Sequence, residues 1–251
     1  MFHRIKTKTR RLIIDLIPNH KRYTPFIILG SMRTGSNLLR LALESCPQVV
    51  MENEIFNQRH LDFGYEYDTI MEQLYCKYPI NIKAVGCKIF YDHLSKEEWN
   101  EFSTLPKCRI IHLMRRNKLR NYLSLKIAEQ TDRWLENWLN KKPPIQERRV
   151  FMNKQEMFAH FYKIEAWEQQ ASQQFKNCDL INIYYEDLIM NYAETVSNVT
   201  QFLGIKKCKN HSMKLRKQNP EPMQQLILNY EEVERVLSNT PFQVYLEEDN
   251  I

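Results

Sequence analysis

Glycine is scarce in this chain, with 5 among 251 residues. Average usage is ~7%, so each glycine is read as a backbone requirement. Cysteine never stands in metal-binding company. Cys46, Cys76, Cys87, Cys108, Cys178 and Cys208 are scattered singly, with no C-x-x-C pair or Cys/His cluster, so no zinc site is expected. Dispersed thiols fit a reducing cytosol better than a disulfide framework. Long apolar runs are missing too, and none approaches the ~18–20 residues of a membrane span. The N-terminal MFHRIKTKTRRLIIDLIPNH is basic and then briefly apolar. Asp15 interrupts its apolar core, Leu12 to Ile17, and no small-residue cleavage site follows, so no signal peptide is expected. The stretch suits a basic amphipathic helix, packed on its own domain or touching a membrane surface. No charge extreme exists either. A net charge of +6 suits anionic ligands without requiring nucleic acid.

The length is enough for one α/β domain with a full core; residues 1–24 are read as a basic extension and 25–251 as the domain. Strand and helix patterns alternate, which predicts a mostly parallel sheet with helices on both faces. Strands are expected at Pro25 to Gly30, Gln48 to Met51, Ile82 to Phe90, Arg109 to Met114 and Leu180 to Tyr184. Helices are expected at Ser36 to Ser45, Tyr65 to Tyr75, from Ser95 on (with Glu98 completing a capping box), Asn117 to Gln130, Gln155 to Phe175, Tyr192 to Leu203 and around Met223 to Leu237. Thr131 to Val150 and Lys206 to Lys217 read as polar and basic loops.

The densest information lies in PFIILGSMRTGSNLLRLAL, Pro25 to Leu43. A strand, a loop punctuated by Gly30 and Gly35, and a helix start make an anion cradle of backbone N–H groups and helix-terminal charge. The spacing is that of a nucleotide-binding P-loop, but Ser36 and Asn37 stand where that motif has Lys and Ser or Thr. The cation is inside the loop instead, at Arg33. A triphosphate site needs the lysine and a metal-bound hydroxyl; this loop suits a phosphate-like group without them. A second constellation is CRIIHLMRRNKLRNYLSLKIA, where a strand runs into Arg115-Arg116 and Ser124 follows Arg116 by eight residues. Cations at a strand's C-terminal edge sit where open α/β sheets bind ligands, and arginine presents a planar fork to phosphate.

Together GSMRTGSNLL, the R-N-x-x-x-x-x-x-S that follows the strand, and YYEDLIMNYAETVSNVTQFLGI resemble the PAPS-dependent sulfotransferases. The likeness is nearest to bacterial carbohydrate or small-molecule enzymes of the nodulation-factor and trehalose-lipid type, and covers Phe26 to about Leu237. The resemblance implies a P-loop-like three-layer fold, 3′-phosphoadenosine 5′-phosphosulfate (PAPS) as donor, adenosine 3′,5′-bisphosphate (PAP) as product, and no metal. It maps the 5′-phosphosulfate loop onto Ser31, Arg33, Thr34, Gly35, Ser36 and Asn37, with Arg33 as the loop cation. It maps the 3′-phosphate motif onto Arg116 and Ser124. Lys214, Arg216 and Lys217 lie where relatives close a loop over the nucleotide, and Glu186-Asp187-Leu188 matches an architectural element. The acceptor is expected to be a hydroxyl or amine of a carbohydrate, glycolipid or small natural product.

The acceptor needs a general base. The resemblance favours Glu54, just before Ile55-Phe56; Glu52 shares its strand parity, and both also read as solvated loop acids. The strand carrying them is expected beside the first strand, and apolar neighbours are expected to raise the carboxyl pKa. Lys88, near a strand end, is a candidate to stabilise the sulfate or position the acceptor, or forms a salt bridge. His112 reads as a core residue, His60 and His93 as exposed loop residues, and Trp134 and Trp138 as sugar-stacking or core aromatics. A P-loop kinase or NTPase and a non-catalytic anion-binding protein are the rival readings. The expected setting is the cytoplasm, with peripheral membrane contact left open; oligomeric state is not encoded in these motifs.

Overall fold

The computed structural model describes residues 19–57, 66–135, 142–205, 208 and 217–247. The element order is β1 (Asn19–His20), β2 (Thr24–Gly30), α1 (Ser36–Glu44), β3 (Val49–Glu52), α2 (Tyr67–Leu74), β4 (Tyr78–Pro79), β5 (Ala84–Phe90), α3 (Lys96–Ser103), β6 (Arg109–Met114), α4 (Lys118–Thr131), α5 (Lys154–Gln174), β7 (Asp179–Tyr184), α6 (Tyr185–Met190), α7 (Tyr192–Phe202), α8 (Met223–Leu226) and α9 (Tyr230–Leu237). Single 3-10 turns cover Ile145–Arg148 and Pro241–Leu246. Five strands form a sheet in the order β3-β5-β2-β6-β7, and every pairing in it is parallel. β1 pairs with β4 in a separate antiparallel ribbon.

The central strand β2 shows why its sequence is an unbroken apolar run. Alternate residues face opposite sides of a sheet, and both sides here are covered. Phe26 and Ile28 join α1 and α7 in one core cluster, while Ile27 and Leu29 join α2, α3 and the end of α5 in another. A third cluster packs α4 against α5, α8, α9 and the last 3-10 turn. This is a three-layer α/β architecture. The α3 start carries the capping box of Ser95 and Glu98, as its spacing predicts.

Two expectations are corrected. β3 does not lie beside β2; β5 stands between them, paired to both. Chain order does not dictate sheet order once a crossover intervenes. The last helical stretch is not continuous: Ile227 leaves the helix to form a parallel bridge with Val150, fixed by Val150 N–H to Leu226 O at 2.9 Å and Leu228 N–H to Val150 O at 2.9 Å.

Candidate active site

The β2–α1 loop is held in a conformation that only its own sequence tolerates. Gly35 is left-handed at φ 81, and a Cβ there would lie 2.6 Å from Tyr185 Cδ2. Gly30 admits Leu113 O to within 2.4 Å of where its Cβ would be. Arg33 is also left-handed, at φ 66, which costs on the order of 1 kcal/mol for a residue with a side chain. Three contacts hold that strained turn. Thr34 Oγ1 donates to Ser31 O at 2.9 Å, Asn121 Nδ2 to Met32 O at 2.9 Å, and the Arg115 guanidinium to Arg33 O at 3.4 Å. Helix α1 begins with Gly35 as its N-cap and has no acid in its first turn. Its positive end therefore faces the loop without a built-in anion.

Beside this loop lies a cavity of about 120 Å³. Its wall includes Arg33, Arg115, Arg120 and Lys217, and no Asp or Glu among the described residues. Arg33 reaches across it. Its Nε donates to Ser124 Oγ at 2.9 Å, one terminal nitrogen to Trp134 O at 2.8 Å, and the other to Gln218 Oε1. Burial, and then the charge of Arg115, pull the Arg33 pKa down to about 10. It stays cationic at neutral pH, but two guanidiniums share a confined space, and an anion relieves that repulsion.

The strand end supplies the other wall. The Glu186 carboxylate, buried under it, accepts the backbone N–H of Arg116 at 3.0 Å and of Asn117 at 3.3 Å, which turns the chain into α4. Successive side chains leave β6 in opposite directions. Arg115 packs over the Tyr185 ring at 4.5 Å and lines the cavity. Arg116 packs over Tyr184 at 4.1 Å and pairs bidentately with Asp187 at 2.7 Å to each oxygen.

A buried ion pair adjoins the loop. Lys88 Nζ is 2.7 Å from Glu54 Oε1, with 1% and 18% of the two side chains exposed. The same ammonium donates to Asn37 Oδ1 at 2.8 Å, and Asn37 lines the cavity. Asn57 Nδ2 donates to the other Glu54 oxygen at 3.0 Å. Burial works to raise the Glu54 pKa, but Lys88 and Asn57, with His93 nearby, hold it below the usual value. The expected raised carboxyl is therefore corrected: the cation outweighs the apolar surroundings. Burial in turn draws the Lys88 ammonium down, against the pull of Glu54.

A family model for the sulfotransferase domain matches residues 23–240. The chain belongs to the sulfotransferase domain family. It is 24% identical to Nodulation protein H of Rhizobium tropici over 251 residues, covering 90% of this chain and 94% of that one. It is 25% identical to Nodulation protein H of Rhizobium meliloti (strain 1021) over 244 residues, covering 89% and 95%. The crystal structure of a sulfotransferase from Alicyclobacillus acidocaldarius shares the fold, with TM-score 0.54 at 14% identity over 89% of this chain and 94% of that chain.

In this sulfotransferase, Arg33, Gly35, Ser36, Asn37, Ser124 and Lys217 all line one cavity, although up to 184 positions separate them in sequence (217 − 33). Glu54 and Lys88 join through Asn37. Ser31 and Thr34 are buried beneath the loop and do not line the cavity; the Thr34 hydroxyl braces the turn rather than facing a ligand. The cavity cation at the end of β6 is Arg115, not the expected Arg116, because the turn falls after Arg115. Arg216, Lys214, His60 and Trp138 lie outside the described residues. Trp134 lines the cavity. His112 is a core residue as expected, hydrogen-bonded to Tyr91 OH at 2.6 Å and Asn182 Oδ1 at 3.1 Å, and burial lowers its pKa to about 4. His93 is not exposed as expected: it is 8% accessible and packs on Phe90 at 5.0 Å. Arg120, Tyr185, Gln218 and Asn219 line the cavity without a sequence signal of their own. Two of them meet the loop motif in space: Tyr185 would clash with any residue but glycine at 35, and Gln218 accepts from Arg33. No helix among the described residues is long and apolar enough to cross a membrane.

Proposed function

We propose that this sulfotransferase moves a sulfuryl group from PAPS to a hydroxyl or amine of a carbohydrate, glycolipid or small natural product. The observation that carries the reading is a cavity lined by four cations, a helix N-terminus and three hydroxyl side chains, with no acid among its described lining residues. Such a wall suits a ligand with several negative charges. Arg33, the backbone at Gly35, Ser36 and Asn37, and the N-terminus of α1 would hold the 5′-phosphosulfate. Ser124, Arg115 and Lys217 would hold the 3′-phosphate, with Arg116 joining only by leaving Asp187.

Glu54 would take the acceptor proton as the acceptor oxygen or nitrogen attacks sulfur. The bond from sulfur to the 5′-phosphate oxygen breaks, and that oxygen leaves with its electron pair as part of PAP. The loop N–H groups and Arg33 stabilise the developing charge. Lys88 stands between the base and the loop. Drawn toward a sulfuryl oxygen, it would release Glu54 from the cation that suppresses its basicity, so that base strength rises once donor is bound.

The test is transfer of label from sulfur-labelled PAPS to an extract of acceptors, read by mass spectrometry, alongside calorimetry with PAP. Transfer by the wild-type protein, together with a Glu54→Gln variant that binds PAP but does not turn over, is the expected result. A wild-type protein that gives no heat with PAP refutes the donor assignment.

A further inference from the structure

The wall formed by Lys217, Gln218 and Asn219 belongs to no helix or strand, so something outside it must hold it against the cavity. Glu221 does this from behind. Its carboxylate receives two Arg148 nitrogens, at 2.7 Å and 2.8 Å, and Lys142 Nζ at 2.8 Å. Arg148 is 6% exposed and Glu221 22%, so the pair is shielded from the solvent that makes surface pairs weak. Arg148 also holds Asn219 Oδ1 at 3.3 Å and Pro143 O at 3.0 Å. The Glu221 carbonyl accepts from Arg120 at 2.9 Å, and Arg120 lines the cavity. Arg148, Lys142 and Glu221 do not line it themselves. The nearby Val150–Ile227 bridge ties the same two stretches of chain together on the far side.

We propose that the Arg148–Glu221 pair is a fastener, a pair of positioning residues that seats the 217–219 wall and Arg120 against the bound donor. The inference rests on the donor reading of the cavity. It separates two quantities that a general structural role would move together. The wall closes over the nucleotide, whereas Glu54 and Lys88 stand on β5 and the segment after β3, which the fastener does not touch. Loss of the fastener lowers the fraction of protein with a seated wall, and apparent donor affinity falls in proportion to that fraction. Because the wall closes over nucleotide already bound, a less firmly seated wall lets that nucleotide leave sooner.

The experiment compares wild type with Arg148→Met, Arg148→Lys, Glu221→Gln and the double exchange Arg148→Glu/Glu221→Arg. It measures PAP affinity and release rate, kcat at saturating donor, acceptor KM, and amide hydrogen exchange over residues 217–226 in the ligand-free protein. If the wall is seated about a tenth of the time, Arg148→Met and Glu221→Gln weaken PAP about tenfold, through faster release. Turnover at saturating donor and acceptor KM stay within about twofold, and exchange over 217–226 rises. Arg148→Lys, which keeps the charge but not the fork, falls between, and the double exchange recovers part of the loss. A folded Arg148→Met or Arg148→Lys with wild-type PAP affinity and wild-type exchange overturns the fastener alone. Equal losses in donor affinity, acceptor KM and kcat also overturn it. Wild-type protein that binds no PAP overturns the donor reading and this inference with it.

Discussion

Replacing Lys88 by methionine tests the link between the donor loop and the proposed base. Methionine keeps most of the volume but removes the ammonium that holds Glu54 at 2.7 Å and Asn37 at 2.8 Å. Glu54, with 18% of its side chain exposed, is left as a largely buried carboxylate that still accepts from Asn57. Breaking a buried pair from one side costs ~3–5 kcal/mol; residual solvent and the option to protonate place this case near the lower bound, at about 3 kcal/mol at pH 7. For a chain of this size that is a fall of about 6–12 °C in melting temperature. The sign of the pH dependence follows from Glu54. In wild type its folded pKa is depressed, so its stabilisation is present above pH 4.5 and is lost as pH falls through the folded value. In the variant the Lys88 contribution is gone, burial is opposed only by the weaker pull of Asn57 and His93, the folded pKa rises from its wild-type position, and the deficit shrinks as pH falls and the carboxyl protonates. Denaturant unfolding of wild type, Lys88→Met and Lys88→Met/Glu54→Leu at pH 7 and pH 5 measures this. The double variant should regain much of the loss, and the acid limb of the kcat/KM profile, which reports the free enzyme, should move to higher pH in Lys88→Met. A deficit that is the same at both pH values, with no recovery in the double variant, refutes the argument.

Arg115→Ala should weaken PAP about 10–100-fold, the scale of losing charge-assisted hydrogen bonds, while 5′-adenosine monophosphate affinity changes less. Arg116→Ala should cost under about threefold, because that guanidinium is half exposed and paired to an equally exposed Asp187. Calorimetry that finds the larger loss at Arg116 means that it exchanges Asp187 for donor, and the assignment by facing fails. Gly35→Ala should lose about 2 kcal/mol from its left-handed backbone alone, and push Tyr185 off its 2.6 Å approach; wild-type stability and PAP binding would contradict this. Glu186→Ala strips the acceptor from two buried amides, for a loss of about 2–4 kcal/mol by thermal unfolding. A loss below about 0.5 kcal/mol, within the usual scatter of surface substitutions, would show that water replaces the carboxylate.

The strands were readable because a sheet covered on both faces needs unbroken apolar runs, and those runs are local. β6 occupies Arg109–Met114, the span its sequence predicts. Two-residue β1 and β4 carry no period to read, and they exist only through each other. The break at Ile227 was hidden for the same reason: a bridge to Val150 is a tertiary contact laid over a helical pattern. At the site, the loop motif identified four of the lining residues, Arg33, Gly35, Ser36 and Asn37, because glycine placement is a backbone demand. It could not separate Ser31 and Thr34, whose hydroxyls turn inward, from Ser36, which faces the cavity.

The choice between Arg115 and Arg116 shows what a linear motif leaves open. The motif counts residues from the arginine to Ser124, but the side chain that enters the cavity depends on where β6 ends. That end is set by Glu186, 70 positions further on, whose carboxylate binds the turn and so fixes which arginine faces inward. Asp187, beside it, holds the other arginine outside. Adjacent acids on α6 thus sort the adjacent cations that follow β6. The consequence is electrostatic as well as geometric. Arg33 and Arg115 are brought together with no lining acid between them among the described residues, and Glu186, 4.0 Å from Arg115 Nε, offsets part of that charge from behind the wall while it also binds the turn. The charge of Arg115 still pulls the Arg33 pKa down, so under the proposed function a bound polyanion would gain from relief of that residual repulsion as well as from its hydrogen bonds.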